Sequence, residues 1–206
     1  MSKRFFNYLM SIVFAFFLIA GCCNPAVIGS LPVQLHSQET SMWCWAASSQ
    51  MIMDYLGHDV DQCVQANNRF NRNDCCNIDL CPPPTQSTAH ACVTGGWPEF
   101  DKYGFAFKTT SNAALSWEDL KEQISNESYC KKRPFAFSWH WIGGGGHMMV
   151  AKGYMTLEGT NYVVILDPWA PCAGDEQIVT YDYYVQSLGH HTHWNDYYDI
   201  EYTGGE

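Results

Sequence analysis

The chain has 206 residues, with 21 acidic against 11 basic side chains and a formal charge of −10. That balance argues against nucleic acid or anionic lipid as a main partner, and the length makes one domain the first expectation. Ten cysteines are too many for an ordinary reduced cytosolic enzyme and indicate an oxidising compartment.

Lys3 and Arg4 open a short positive region, and Tyr8 to Ala20 is apolar except for Ser11. Such a run is short for a membrane span and suits a secretory signal over 1–21. Its end, Leu18-Ile19-Ala20-Gly21-Cys22, resembles a bacterial lipoprotein signal. The resemblance implies cleavage before Cys22, lipidation of Cys22 and a membrane partner through an N-terminal lipid anchor at the bacterial envelope. An uncleaved helical anchor and simple periplasmic or secreted release are the alternatives. Loss of residues 1–21 would take the formal charge from −10 to −12. Residues 22–37, with Pro25, Gly29 and Pro32, read as a tether and an entry strand, too short for a long inhibitory segment.

A helix is expected from Met42 or Cys44 to Leu56: Ala47, Met51 and Tyr55 recur at spacing four, Ser41 is a plausible N-cap, and Gly57 stops it. Five cysteines then fall between 63 and 92, amid Asn67, Asn68, Asn71, Asn73 and Pro82 to Pro84. This reads as an irregular segment stapled by disulfides, with Cys75 and Cys76 pointing to different partners. With Cys22 and Cys44 set aside for lipid and catalysis, Cys23, Cys63, Cys75, Cys76, Cys81, Cys92, Cys130 and Cys172 are left. Their connectivity is open, and Cys23 is a candidate to stay free. Structural zinc is the weaker alternative, because paired Cys-x2-4-Cys knuckles are missing.

A second helix starts after Ser116, where Ser116-Trp117-Glu118-Asp119 resembles a capping box with Asp in the fourth place. Strands are expected at 134–139, 147–153, 162–166 and 176–184. Helices first and strands later indicate an α+β chain, with a helical lobe over about 38–126 and a strand lobe over about 127–206. The His190-His191-Thr192-His193 run has no acid or thiol partner at diagnostic spacing and reads as a histidine-rich turn rather than a metal site.

Three places carry chemistry. Cys44 opens a helix, where unsatisfied N–H groups and the helix dipole favour a thiolate. His147 follows four glycines at the start of a strand and is a candidate base; a satisfied core histidine is its bland reading. Asp167 ends the next strand and is a candidate to orient the imidazole, against an ordinary Asp-Pro turn. Gln38 precedes Cys44 by six residues and is a candidate oxyanion donor, or a surface glutamine. His140 is a competing base in a weaker context. Trp43, Trp45, Trp139, Trp141, Trp169 and Gly146 are candidates to line a substrate cleft.

Gln38 to Ala47, Gly146 to Tyr154 and Ile165 to Trp169 together resemble papain-like cysteine peptidases, in the bacterial branch of C39-like and AvrRpt2-type enzymes. The resemblance spans about 38–170. It implies a papain-like two-lobed fold with a central helix and an antiparallel sheet. It also implies a thiol peptidase acting on peptide or protein substrates without a cofactor or metal: nucleophile Cys44, base His147, orienting Asp167 and oxyanion donor Gln38. Transglutaminase-like, deamidase or amidase chemistry on the same scaffold is the runner-up, and an inactive binding lipoprotein is the third reading. Oligomeric state is not legible in the chain.

Overall fold

The computed structural model describes residues 21–78 and 90–204. The signal and its cleavage region up to residue 20, and Cys81 with the following prolines, lie outside the described residues. No helix among the described residues is long and apolar enough to cross a membrane.

The first helix, α1 (Cys44–Tyr55), is buried from Trp45 through Met53. Ala46 and Ala47 are fully buried, and their small size lets the helix pack closely on the sheet. The next helix, α2 (Gln62–Phe70), ties itself to α1 with buried glutamines. Gln65 Nε2 donates to the Ala46 carbonyl at 3.1 Å, and Gln62 Nε2 donates to Ser37 O at 2.9 Å and to Gln50 Oε1 at 3.2 Å. At the end of α1, Gly57 takes φ +83°, and His58 N donates to Met53 O at 2.9 Å, which satisfies an orphan helical carbonyl. Ser41 is not the N-cap: α1 begins at Cys44 with Trp43 in that position and no side-chain cap.

The third helix, α3 (Trp117–Ile124), is capped as the sequence indicates, with Asp119 N donating to Ser116 Oγ at 3.2 Å. The return bond differs from the usual capping box. The Ser116 hydroxyl donates to Asp119 Oδ2 at 2.6 Å, since Asp is a carbon shorter than the Glu that would reach the cap's backbone N–H.

Among the described residues, eight strands, all paired antiparallel, form one sheet. They are β1 (Ile28–Ser30), β2 (Phe105–Thr109), β3 (Phe135–Trp141), β4 (Gly146–Leu157), β5 (Thr160–Asp167), β6 (Asp175–Thr180), β7 (Gln186–Ser187) and β8 (His191–Tyr202). The main order is β2-β8-β3-β4-β5-β6, with β1 on β4 and β7 on β8. The core lies where α1 and α3 meet β4 and its neighbours, and contains Met51, Ile52, Leu120, Phe135, Val150 and Ile165, each fully buried. Burial of such side chains stabilises by roughly 1.5–3 kcal/mol each.

Three expectations change here. Residues 176–184 are not one strand: β6 stops at Thr180, whose hydroxyl caps a short helix, α4 (Tyr181–Val185), by accepting from Tyr183 N at 3.2 Å. Phe105–Thr109, within the stretch expected to be helical, joins the sheet beside β8. The histidine-rich tail is no turn: His191 and His193 lie buried on the twelve-residue strand β8. There His193 Nε2 meets Asp196 Oδ1 at 2.9 Å, and Tyr184 Oη donates to the same oxygen at 2.7 Å. A buried carboxylate is tolerated because it is paired and hydrogen-bonded.

Cys23 is not free. It is joined to Cys130, while Cys63 pairs with Cys76 and Cys75 with Cys92; Cys172 is also in a disulfide. The adjacent Cys75 and Cys76 do take different partners. Asp74, Cys75 and Cys92 cluster with metal-ligand spacing, but the two sulfurs are bonded to each other and so offer no thiolate to zinc.

Candidate active site

Cys44 sits half-buried at the first position of α1, where helical N–H groups have no intrahelical acceptor. The preceding segment is locked to the sheet. Gln38 N donates to Pro168 O at 3.0 Å and Gln38 O accepts from Cys172 N at 2.9 Å, so the stretch ahead of Cys44 is clamped beside the end of β5. The Gln38 side chain is fully buried rather than at the surface. Its Nε2 donates to Thr40 O at 2.7 Å, which leaves a second amide hydrogen, and Oε1 has no partner among the described residues.

His147 is the second residue of β4 and Asp167 the last of β5. The register pairs Val150 with Leu166, so the two residues are diagonal neighbours at one end of adjacent strands. His147 Nε2 lies 2.6 Å from Asp167 Oδ1. Trp169 N donates to Asp167 Oδ1 at 2.9 Å, and Gln177 Nε2, from β6, donates to Oδ2 at 3.3 Å. The carboxylate is thus held from three directions. Trp141 stacks on the imidazole with ring centres 6.2 Å apart and planes 12° from parallel, and Trp169 meets it edge-on. Burial works against the charged imidazole, but its hydrogen bonds to Asp167 and to Cys44, and the attraction of their negative charges, raise the pKa of His147 from 6.5 to about 9.

A cleft of about 810 Å³ opens over these groups, lined by Gln38, Cys44, His147 and Asp167 together. Of the proposed lining residues, Trp141, Trp169 and Gly146 do line it. Trp43, Trp45 and Trp139 do not: all three are in the core, with their indole N–H groups donating to the carbonyls of Cys92, Thr94 and Tyr184. Two-ring side chains beside a nucleophile segment can face either way, and here the buried carbonyls satisfy them. Trp45 instead supports the cleft from beneath, since a Cβ on Gly96 would lie 2.7 Å from its ring. His140 is exposed and packs against Trp194, with ring centres 5.1 Å apart.

The sequence reading missed Trp97, Trp194, Asn195 and Tyr197, which also line the cleft. Gly95-Gly96-Trp97 offered a local signal, in glycines that allow close backbone approach. Trp194 to Tyr197 offered none, because strand β8 was itself not recognised.

Search of the curated proteins gives no match to this chain. Among solved structures, the fold is similar to a chain described in a study of limited antibody cross-reactivity between the mite allergens Blo t 1 and Der p 1. The TM-score is 0.53 at 14% identity, covering 96% of this chain and 82% of that one. This likeness matches the general papain-like architecture of a helical region against an antiparallel sheet. The model of the Peptidase_C39 like family matches residues 30–199. With most of the chain matched, including the cleft described above, the protein belongs to the Peptidase_C39 like family.

Proposed function

We propose that the protein is a thiol peptidase that hydrolyses peptide bonds through Cys44, His147, Asp167 and Gln38. The observation that carries this reading is one imidazole, His147, hydrogen-bonded to Asp167 through Nε2 at 2.6 Å and lining the same open cleft as Cys44, which starts a helix. In this reading His147 takes the Cys44 proton, and the thiolate attacks the substrate's carbonyl carbon. The free hydrogen of the Gln38 amide and the Cys44 backbone N–H stabilise the resulting oxyanion. The imidazolium then donates its proton to the leaving amine as the C–N bond breaks. Water, deprotonated by the now neutral His147, hydrolyses the thioester and restores the thiol. Asp167 keeps the ring in the orientation and tautomer that each step requires.

The apolar N-terminal run ending at Gly21-Cys22 supports action outside the cytoplasm with Cys22 as a lipid-anchor point, and three described disulfides fit that location. The test is mass spectrometry of the non-reduced protein after iodoacetamide. Rapid single labelling at Cys44 that disappears in Cys44→Ala and slows strongly in His147→Ala is expected. Labelling no faster than an ordinary thiol and indifferent to His147→Ala would remove the assignment.

A further inference from the structure

One wall of the cleft is made by Gly95, Gly96 and Trp97, within a stretch from Thr94 to Glu99 that is neither helix nor strand. Backbone without ladder hydrogen bonds has to be held by side chains. The start of the stretch is held by Trp45, whose Nε1 donates to Thr94 O at 3.3 Å. The remainder is gripped by Arg69, in the last turn of α2.

Arg69 meets three of these residues. Its guanidinium carbon lies 3.8 Å from the centre of the Trp97 ring and 5.4 Å from that of Trp45, so the cation covers both indoles. Nη1 donates to Trp97 O at 3.4 Å and pairs with Glu99 Oε1 at 3.3 Å. Lys102 Nζ holds the other oxygen of Glu99 at 3.0 Å. Gly96 is seated against the same side chain: a Cβ there would lie 2.6 Å from Arg69 Nε and 2.9 Å from Cδ.

This arrangement is not optimised as an ion pair. The Arg69 side chain is 10% exposed, and its Nε is buried with no hydrogen-bond partner among the described residues. A buried donor left unpaired costs stability. What the guanidinium gains is flat contact with Trp97, which a lysine ammonium would not reproduce. Its charge is met by Glu99, and Arg69 is not among the residues that line the cleft. Trp97 does line it and is 59% exposed. Without the stack, an indole so exposed has several rotamers open to it.

We infer that Arg69 is a positioning residue for the substrate: through Trp97 and the seat of Gly96 it fixes this wall of the cleft, and so sets how tightly a peptide is held without touching it. The inference rests on the peptidase reading above.

The test measures saturation kinetics of Cys44 alkylation by two chloromethyl ketones, of Ala-Ala-Phe and Ala-Ala-Lys, beside iodoacetamide, which is too small to need the wall. In Arg69→Met and Arg69→Lys the half-saturating concentration of at least one peptidyl probe should rise about tenfold. The limiting rate and the iodoacetamide rate should stay within about twofold of wild type. Trp97→Ala should raise the same half-saturating concentration, and adding Arg69→Met to it should raise it little further, because both changes act through one contact. Near-UV circular dichroism checks the fold, and Arg69→Lys alone carries the comparison if the methionine variant does not fold. Full rescue by Arg69→Lys, additive effects of the two changes, a loss confined to the limiting rate, or no saturation of the wild type by either probe would overturn the inference. If iodoacetamide shows no His147-dependent reaction, the peptidase reading fails separately. Binding of Ala-Ala-Phe and Ala-Ala-Lys amides to Cys44→Ala, followed by tryptophan fluorescence, then decides the role of Arg69: weaker binding once Arg69→Lys is added supports it, and equal or absent binding overturns it.

Discussion

His147 Nε2 and Asp167 Oδ1 are 2.6 Å apart, and this contact leaves Nδ1 as the ring nitrogen open to another partner. The carboxylate is itself held by Trp169 N and Gln177 Nε2, so the imidazole has one well-defined orientation. Replacing Asp167 with Ala should cost about 10²-fold or more in kcat/KM. The alkaline limb of kcat/KM, where the His147 imidazolium that protonates the leaving amine is lost, should also move to lower pH, because His147 loses its main acceptor. Asp167→Asn should lose less than Asp167→Ala, since an amide oxygen can still accept from Nε2. Hydrolysis of a peptide substrate over a pH series measures both effects, and an unchanged profile in Asp167→Ala would refute the orienting role.

The charge on His147 also links folding to pH. Its pKa is raised on folding from 6.5 to about 9, so the folded state holds the proton more tightly than the unfolded chain. The resulting stabilisation is fully present below about pH 6.5 and is lost as pH rises to and through about 9. Thermal unfolding of the wild type should therefore lose more between pH 6 and 10 than unfolding of His147→Gln does. Parallel curves for the two proteins would rule this out.

Asp199 shows the opposite sign. Burial opposes its charge, but Gln123, Lys108 and Lys131 all donate to it and hold its carboxyl below the usual range. Its contribution is present above the unfolded carboxyl pKa and is lost as pH falls below it. Asp199→Asn keeps a residue type that tolerates the local φ of +53°. Its unfolding midpoint should be lower than wild type at neutral pH and converge on it in acid, which a denaturant series at several pH values checks.

Gly146 admits no side chain without movement, because the Trp139 carbonyl is backbone and lies 2.5 Å from an added Cβ. Gly146→Ala should therefore shift the start of β4, with a stability loss of about 1–3 kcal/mol and slower alkylation of the neighbouring His147–Cys44 site. Gly144→Ala is the control: it sits in the same glycine run with open space around it, and its strain comes only from φ +103°. It should spare the alkylation rate. Equal alkylation rates in the two variants would show that the contact at Gly146 is unimportant.

The Cys23–Cys130 disulfide closes a loop of 107 residues. It ties the segment just after Cys22 to the loop following α3. A Cys23→Ser/Cys130→Ser double variant should unfold about 2–4 kcal/mol more easily. Because β1 re-enters the sheet at Ile28 and Val27 O still accepts from Thr156 N, the fold and the Cys44 labelling rate should persist. Denaturant titration beside iodoacetamide labelling separates the two effects, and loss of labelling would place this disulfide in the support of the site.

Much of the site was legible in the chain because its residues mark element boundaries. Cys44 begins a helix, His147 begins a strand after a glycine run, and Asp167 ends a strand before proline. Those are local signals of capping, turn and breaker chemistry, and the structure brings the three residues to one cleft with Gln38. Helix α1, the capped start of α3 and the centres of β3, β4 and β5 followed from apolar periodicity in the same way. Only tertiary structure decided which tryptophans face the cleft. Trp43, Trp45 and Trp139 are indistinguishable from Trp141 and Trp169 until buried carbonyls claim their N–H groups. Only tertiary structure made a strand of the histidine-rich tail, by pairing it with β2 and β3 and burying His193 beside Asp196. The partners of the described cystines and the one-residue slip that leaves Trp194 unpaired between β3 and β8 were likewise set by non-local pairing. Sequence spacing determines what a residue can do within its own element; the partner across the sheet determines where its side chain goes.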